Sequence, residues 1–181
     1  MRVPFFKQHT SYTCGPACMK MIMKYFGKNF TEKHLKKFMK TLKKDGTEHF
    51  GMINCAVKKG FYCYVHKNAG INQIKHYIDL KLPVIVNFIA PDGEGHYAVV
   101  VAYDKNNLIL NDPYFGKKTI TKIKQFEKKW HSKYNKSRRW IMVLSRKDFD
   151  LGREYNPIAK DRSVQFFMSC VIKTNNKNNK T

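Results

Sequence analysis

The chain has 181 residues, about one domain, and a net charge of +22, with 43% apolar residues that include 13 Phe and 10 Tyr. That share supports a sizeable core, so the mean hydropathy of −0.55 reflects lysine and not a shortage of core residues. Five cysteines, odd in number and irregular in spacing, argue against a disulfide framework, and no apolar run reaches the length needed to span a bilayer.

Residues 3–8 (VPFFKQ) read as a short strand or extended segment. Tyr12-Thr13-Cys14 turns into a helix running to about Phe26, with Ala17, Cys18, Met21, Ile22 and Tyr25 at helical spacing. Gly27 stops it. A second helix is predicted over Thr31–Lys43, with Leu35, Phe38, Met39 and Leu42 on one face and lysine on the other. A third covers about His49–Lys59, and Gly60 ends it. Phe61–His66 then reads as a strand, and residues 71–81 as a helix ending before Leu82-Pro83. Val84–Ile89 (VIVNFI) has the β-branched content of a buried strand, and Tyr97–Tyr103 (YAVVVAY) is another. Asp104–Asn107 turns the chain into Leu108–Leu110. Lys117–Thr121 adds an edge strand, Ile123–His131 a short helix and Trp140–Leu144 a closing strand.

Helices first and antiparallel strands after them predict an α+β fold, with N-terminal helices packed on a mostly antiparallel β-sheet. The expected organisation is a domain over 1–146, an extension over 147–172 and a disordered polar tail over 173–181. Val164–Ile172 reads as one more strand or helix.

The chemistry concentrates in four residues. A thiol attacks as a thiolate, and a helix N-terminus or a nearby imidazolium favours that form. Cys14 stands where a helix begins, and the following Gly15-Pro16 suits the first turn. Gly15 is expected to allow close backbone approach and leave the sulfur accessible. Cys18, one turn later, reads as a core thiol. His96 begins a strong strand after a glycine-bearing turn. Asp112 follows the next strand, so an antiparallel pair brings it toward His96, where an acid orients the imidazole and stabilises its cation. Asn111 is the competing orienting residue. Gln8, just before the nucleophile loop, is a candidate amide donor to an oxyanion.

The stretches VPFFKQHTSYTCGPACMKMIMKYFG, GHYAVVVAYD and LNDP resemble the papain-like cysteine peptidases of the bacteriocin-processing (double-glycine) family over roughly residues 3–145. The resemblance implies a papain-like fold and a thioester acyl-enzyme. It also implies Cys14 as nucleophile, His96 as general base and acid, Asp112 as orienting acid and Gln8 as oxyanion donor. Two departures are visible: Thr13 stands where transporter-linked members often carry Asp, and no exporter follows. The expected type is therefore the free-standing one.

The expected partner is a peptide or protein substrate, acidic if the charge of the chain guides it. Other readings are a catalytically silent peptide-binding relative and a basic nucleic-acid-binding protein. The last rests on Phe30, Phe38, Phe126, Trp130, Tyr134 and Trp140 lying among lysine clusters at 28–44 and 117–139. Against it, Phe126 and Trp130 stand at core-like helical spacing, and the lysines read equally as a solubilising surface. No cofactor is expected, and without a C-x-x-C or H-E-x-x-H spacing no metal site. Reduced thiols, with no apolar core of a secretion signal near the N-terminus, give a cytoplasmic expectation.

Overall fold

A computed structural model of the chain describes residues 1–133 and 138–147, with the backbone alone of 164–167. The predicted tail over 173–181 lies outside the described residues. Among the described residues five helices, α1 (Cys14–Tyr25), α2 (Glu32–Phe38), α3 (His49–Lys58), α4 (Ile71–Asp79) and α5 (Ile123–Lys129), accompany seven strands. These are β1 (Tyr62–His66), β2 (Val84–Ile89), β3 (Gly95–Tyr103), β4 (Asn107–Asp112), β5 (Gly116–Lys122), β6 (Ile141–Ser145) and β7 (Val164–Phe167). They form one sheet in the order β5-β4-β3-β2-β6-β1-β7, antiparallel at every pairing. The α+β papain-like architecture is the one expected, and Val164–Phe167 resolves as a strand that extends the sheet beyond β1.

Helices cover both faces of the sheet. On one face Met21 and Ile22 of α1, Leu35 of α2 and Met52 of α3 pack with Ile85, Val99 and Met142. On the other, Ile74 and Tyr77 of α4 and Phe126 of α5 pack with Val84, Val86, Val100 and Val143. β2 sends alternate residues into the two layers, which is why its sequence is apolar without alternation.

The second helix stops earlier than its periodicity predicts. Lys40 takes a left-handed conformation (φ 53°). The Lys40 N–H donates to Lys37 O at 3.2 Å and the Thr41 N–H to Lys36 O at 3.0 Å, closing a Schellman motif that ends α2 at Phe38. Leu42, placed on the helix face by its spacing, instead pairs with Gly46 outside the helix and is exposed. The same device ends α4 at Asp79, with Lys81 at φ 62°. Residues 3–8 form no strand, and Val3 O accepts from Asn111 Nδ2 at 3.1 Å.

Phe126, Trp130 and Trp140 are each 2% exposed or less. Buried rings cannot stack on bases, so these three belong to the core, while Phe30 and Phe38 are half-buried. Among the described residues no helix is long and apolar enough to cross a membrane.

Candidate active site

Cys14 opens α1, and its helix start is unusual in one respect. Thr13 occupies the N-cap position without capping. Its hydroxyl turns back to the loop, where Thr13 Oγ1 lies 3.1 Å from Thr10 O and accepts from the Thr10 N–H at 3.1 Å. The first-turn N–H groups of α1 therefore keep the positive end of the helix uncapped toward the cleft. Cys14 itself is 5% exposed. Gly15 allows the close approach expected of it. A Cβ there would lie 2.8 Å from both Cβ and Oγ1 of Thr47, so the glycine lets the loop before α3 close on α1.

His96 is the second residue of β3, and the β3–β4 pairing brings it to Asp112 at the end of β4. The His96 Nε2–H donates to Asp112 Oδ1 at 2.8 Å, both side chains being buried. The Cys14 thiol lines the same cleft and adds to the pull on the ring's proton. Burial alone would push the His96 pKa down, but the Asp112 carboxylate and Cys14 outweigh it and raise it to about 10. The net effect favours the protonated ring. Asp112 Oδ1 also accepts the N–H groups of Tyr114 and Phe115 at 2.9 and 3.0 Å, which fixes the carboxylate to its own turn. Asn111 does not orient the histidine: it bonds Val3 O and accepts the Lys118 N–H at 3.3 Å.

Gln8 lines the same cleft as Cys14 and His96, a space of about 920 Å³. Its backbone N–H donates to Pro113 O at 3.0 Å, one residue beyond Asp112. One amide hydrogen of its side chain goes to Thr10 O at 2.7 Å, which leaves the second for a ligand. All four predicted residues therefore converge. Cys18 does not join them: burial pushes its thiol well up, with Cys14 and Asp112 adding to the effect, as a core thiol requires.

Sequence reasoning missed two parts of the cleft. Asn87 Nδ2 donates to the His96 carbonyl at 3.1 Å and holds the base from the neighbouring strand. Its signal was one polar residue inside the apolar run VIVNFI. His49, at the start of α3, stacks on Trp140 with centroids 4.0 Å apart and planes 5° from parallel. Burial lowers its pKa to about 4 against a contact with Asn87, so it is a neutral wall of the cleft. Nothing in its sequence context marked it.

The charge of the chain does not concentrate in the cleft. Lys43, Lys44, Lys67 and Lys133 line it, but so do Asp45, Glu48, Asp92 and Glu94. Four against four contrasts with 35 basic and 13 acidic residues overall, so the walls give no preference for an acidic ligand.

A thiol at a helix start shares one cleft with a histidine hydrogen-bonded to a buried carboxylate, the groups that a cysteine hydrolase would use. The chain belongs to the peptidase C39 family, whose model matches residues 2–134. It is 34% identical over 139 residues to the pediocin PA-1 transport/processing ATP-binding protein PedD of Pediococcus acidilactici, matching 68% of this chain and 18% of PedD. The chain thus spans less than a fifth of that relative's length. The peptidase domain of Streptococcus ComA, a bifunctional ABC transporter involved in a quorum-sensing pathway, superimposes with a TM-score of 0.68 at 28% identity, covering 81% of this chain and 100% of that domain. A double-glycine-motif protease domain, solved in complex with a leader peptide, has the same fold: TM-score 0.63, 16% identity, 79% of this chain and 91% of that one.

Proposed function

We propose that the chain is a cysteine peptidase of the double-glycine type. The observation that carries this is His96, hydrogen-bonded to Asp112 at 2.8 Å and sharing one cleft with Cys14. In this reading the Cys14 thiolate attacks the scissile carbonyl. An S–C bond forms, and the carbonyl electrons move to an oxyanion held by the second Gln8 amide hydrogen and the Cys14 N–H. Collapse breaks the C–N bond, and the leaving amine takes its proton from His96. Water then adds to the thioester, giving a proton to His96, and breaking the C–S bond releases the acid and regenerates the thiolate–imidazolium pair. Asp112 stabilises the imidazolium throughout. Membership of the C39 family and the leader-peptide complex of a protein with the same fold support, as the first substrate to try, a leader peptide whose Gly-Gly is followed by further residues. Free buried thiols at Cys18, Cys55 and Cys63 suit a reducing cytoplasm.

Iodoacetamide labelling near neutral pH, read by mass spectrometry, tests the site. Cys14 is expected to react faster than Cys55, whose thiol burial pushes up to about 11, and faster than Cys63, which burial raises further. His96→Ala should remove that advantage. Equal rates at all three, or an unaffected Cys14 in the variant, would overturn the activated thiol. Cleavage of a Gly-Gly leader peptide, lost in Cys14→Ala, tests the activity.

A further inference from the structure

Two carboxylates are buried among the described residues, Asp112 and Glu32. The first serves His96. The second stands at the first turn of α2, and both of its oxygens face residue 9. Glu32 Oε1 accepts the His9 backbone N–H at 3.0 Å, and Oε2 meets His9 Nδ1 at 2.7 Å. Glu32 is 4% exposed, whereas the His9 ring is 73% exposed. A carboxylate taken out of water in this way costs stability unless it is well paired, and its partner is the residue next to Gln8.

The anchors around Gln8 then form a set. Its own N–H is held by Pro113 O, the following residue is held by Glu32, and its amide is held by Thr10 O. The first ties the loop to the acid end of the site and the second ties it to α2. We propose that Glu32 is a positioning residue for the oxyanion hole: through the two-point bond to His9 it sets where Gln8 presents its free amide hydrogen. The proposal rests on the peptidase reading above. It predicts an effect on the step in which negative charge grows on oxygen, and none on the reactivity of the sulfur.

That difference gives the test. Alkylation by iodoacetamide displaces iodide and forms no oxyanion, so it reports the Cys14–His96 pair alone. Hydrolysis of a Gly-Gly leader peptide needs the hole as well. A misplacement of about 1 Å in a catalytic group can cost about 10²-fold, so Glu32→Gln, which keeps the shape and loses the charge, is expected to lower kcat/KM by about tenfold or more. Alkylation of Cys14 should stay within about twofold of wild type, since the sulfur and its imidazolium are untouched. His9→Ala, made from the exposed side, should cause a smaller loss of the same kind. In a Gln8→Ala background Glu32→Gln should add nothing, because its route to the chemistry has been removed. The same fold-loss in both backgrounds, or alkylation falling in step with hydrolysis, would refute the proposal and leave Glu32 a merely structural residue. A readout independent of turnover is the Gln8 side-chain NH₂ resonance in ¹⁵N-labelled protein. It should move in both Glu32→Gln and His9→Ala, and an unchanged resonance overturns the proposal whatever the chain hydrolyses. Failure of the peptidase reading would show instead in the wild type, as slow Cys14 alkylation and no cleavage.

Discussion

Asp112→Asn is the most informative single change in the site. The asparagine oxygen can still accept the Tyr114 and Phe115 N–H groups that Asp112 Oδ1 accepts now, so the turn after β4 is expected to hold. The negative charge beside His96 is lost. An opposite charge at such a distance moves a buried group's pKa by about 1–3, and each pH unit is worth about 1.4 kcal/mol, so the imidazolium should be weaker by about 1.4–4 kcal/mol. The wild-type ring, raised to about 10, should then titrate roughly one to three pH units lower, near 7–9. Two measurements read this: the ¹⁵N shifts of the His96 ring against pH, and the alkaline limb of kcat/KM, which ends where His96 can no longer protonate the leaving amine. The linkage runs in a definite direction. A histidine whose folded pKa lies above its unfolded value of 6.5 stabilises the fold fully below 6.5 and loses that contribution as pH rises through about 10. The difference in Tm between wild type and Asp112→Asn should therefore be largest near pH 6 and shrink toward pH 10. A wild-type ring titrating near 6.5, or an alkaline limb unmoved by the substitution, would refute the reasoning.

Other changes probe the scaffold around the site. Gly15→Ala places a Cβ against Thr47, which is itself hydrogen-bonded to Thr41 at 2.8 Å. Overpacking of this kind costs about 1–3 kcal/mol, read as a lower midpoint in denaturant titration; an unchanged midpoint would show that the loop before α3 yields freely. His49 titrates with the opposite sign to His96. Its folded pKa, lowered by burial to about 4, gives stability that is present above 6.5 and lost as pH falls toward 4. His49→Gln should flatten that acid loss, and an unchanged acid limb of Tm would argue against a neutral, stacked ring.

Periodicity and motif spacing were enough for most of the architecture and for picking four residues, Gln8, Cys14, His96 and Asp112, that the fold brings together. The apolar periods of α1 and α3 and the β-branched runs of β2 and β3 are local properties of the chain, and local chemistry set them. Asp112 was legible because a short hairpin between β3 and β4 allows few registers, and one of them joins it to His96. The errors have the same physical origin in reverse. Leu42 fits a helical period, but a left-handed Lys40 ends α2 before it, and backbone conformation at one residue leaves no periodic trace. Among the aromatics near the lysines, Phe126 and Trp130 lie in the core, as their helical spacing suggested, and Trp140 lies there with them.

What the amino-acid order determined by itself was the type of each element and the kinds of reacting group it carries. Tertiary structure decided which groups share a proton and which are held in place. The His96 pKa rises against the effect of burial because Asp112 and Cys14 act on it inside the core, where little water screens them. Asn87 and Glu32 gain their places through contacts nine and 23 residues apart in the chain. Neither distance carries a local signal, because a hydrogen bond between remote segments depends on the fold that closes the gap and not on the residues beside it.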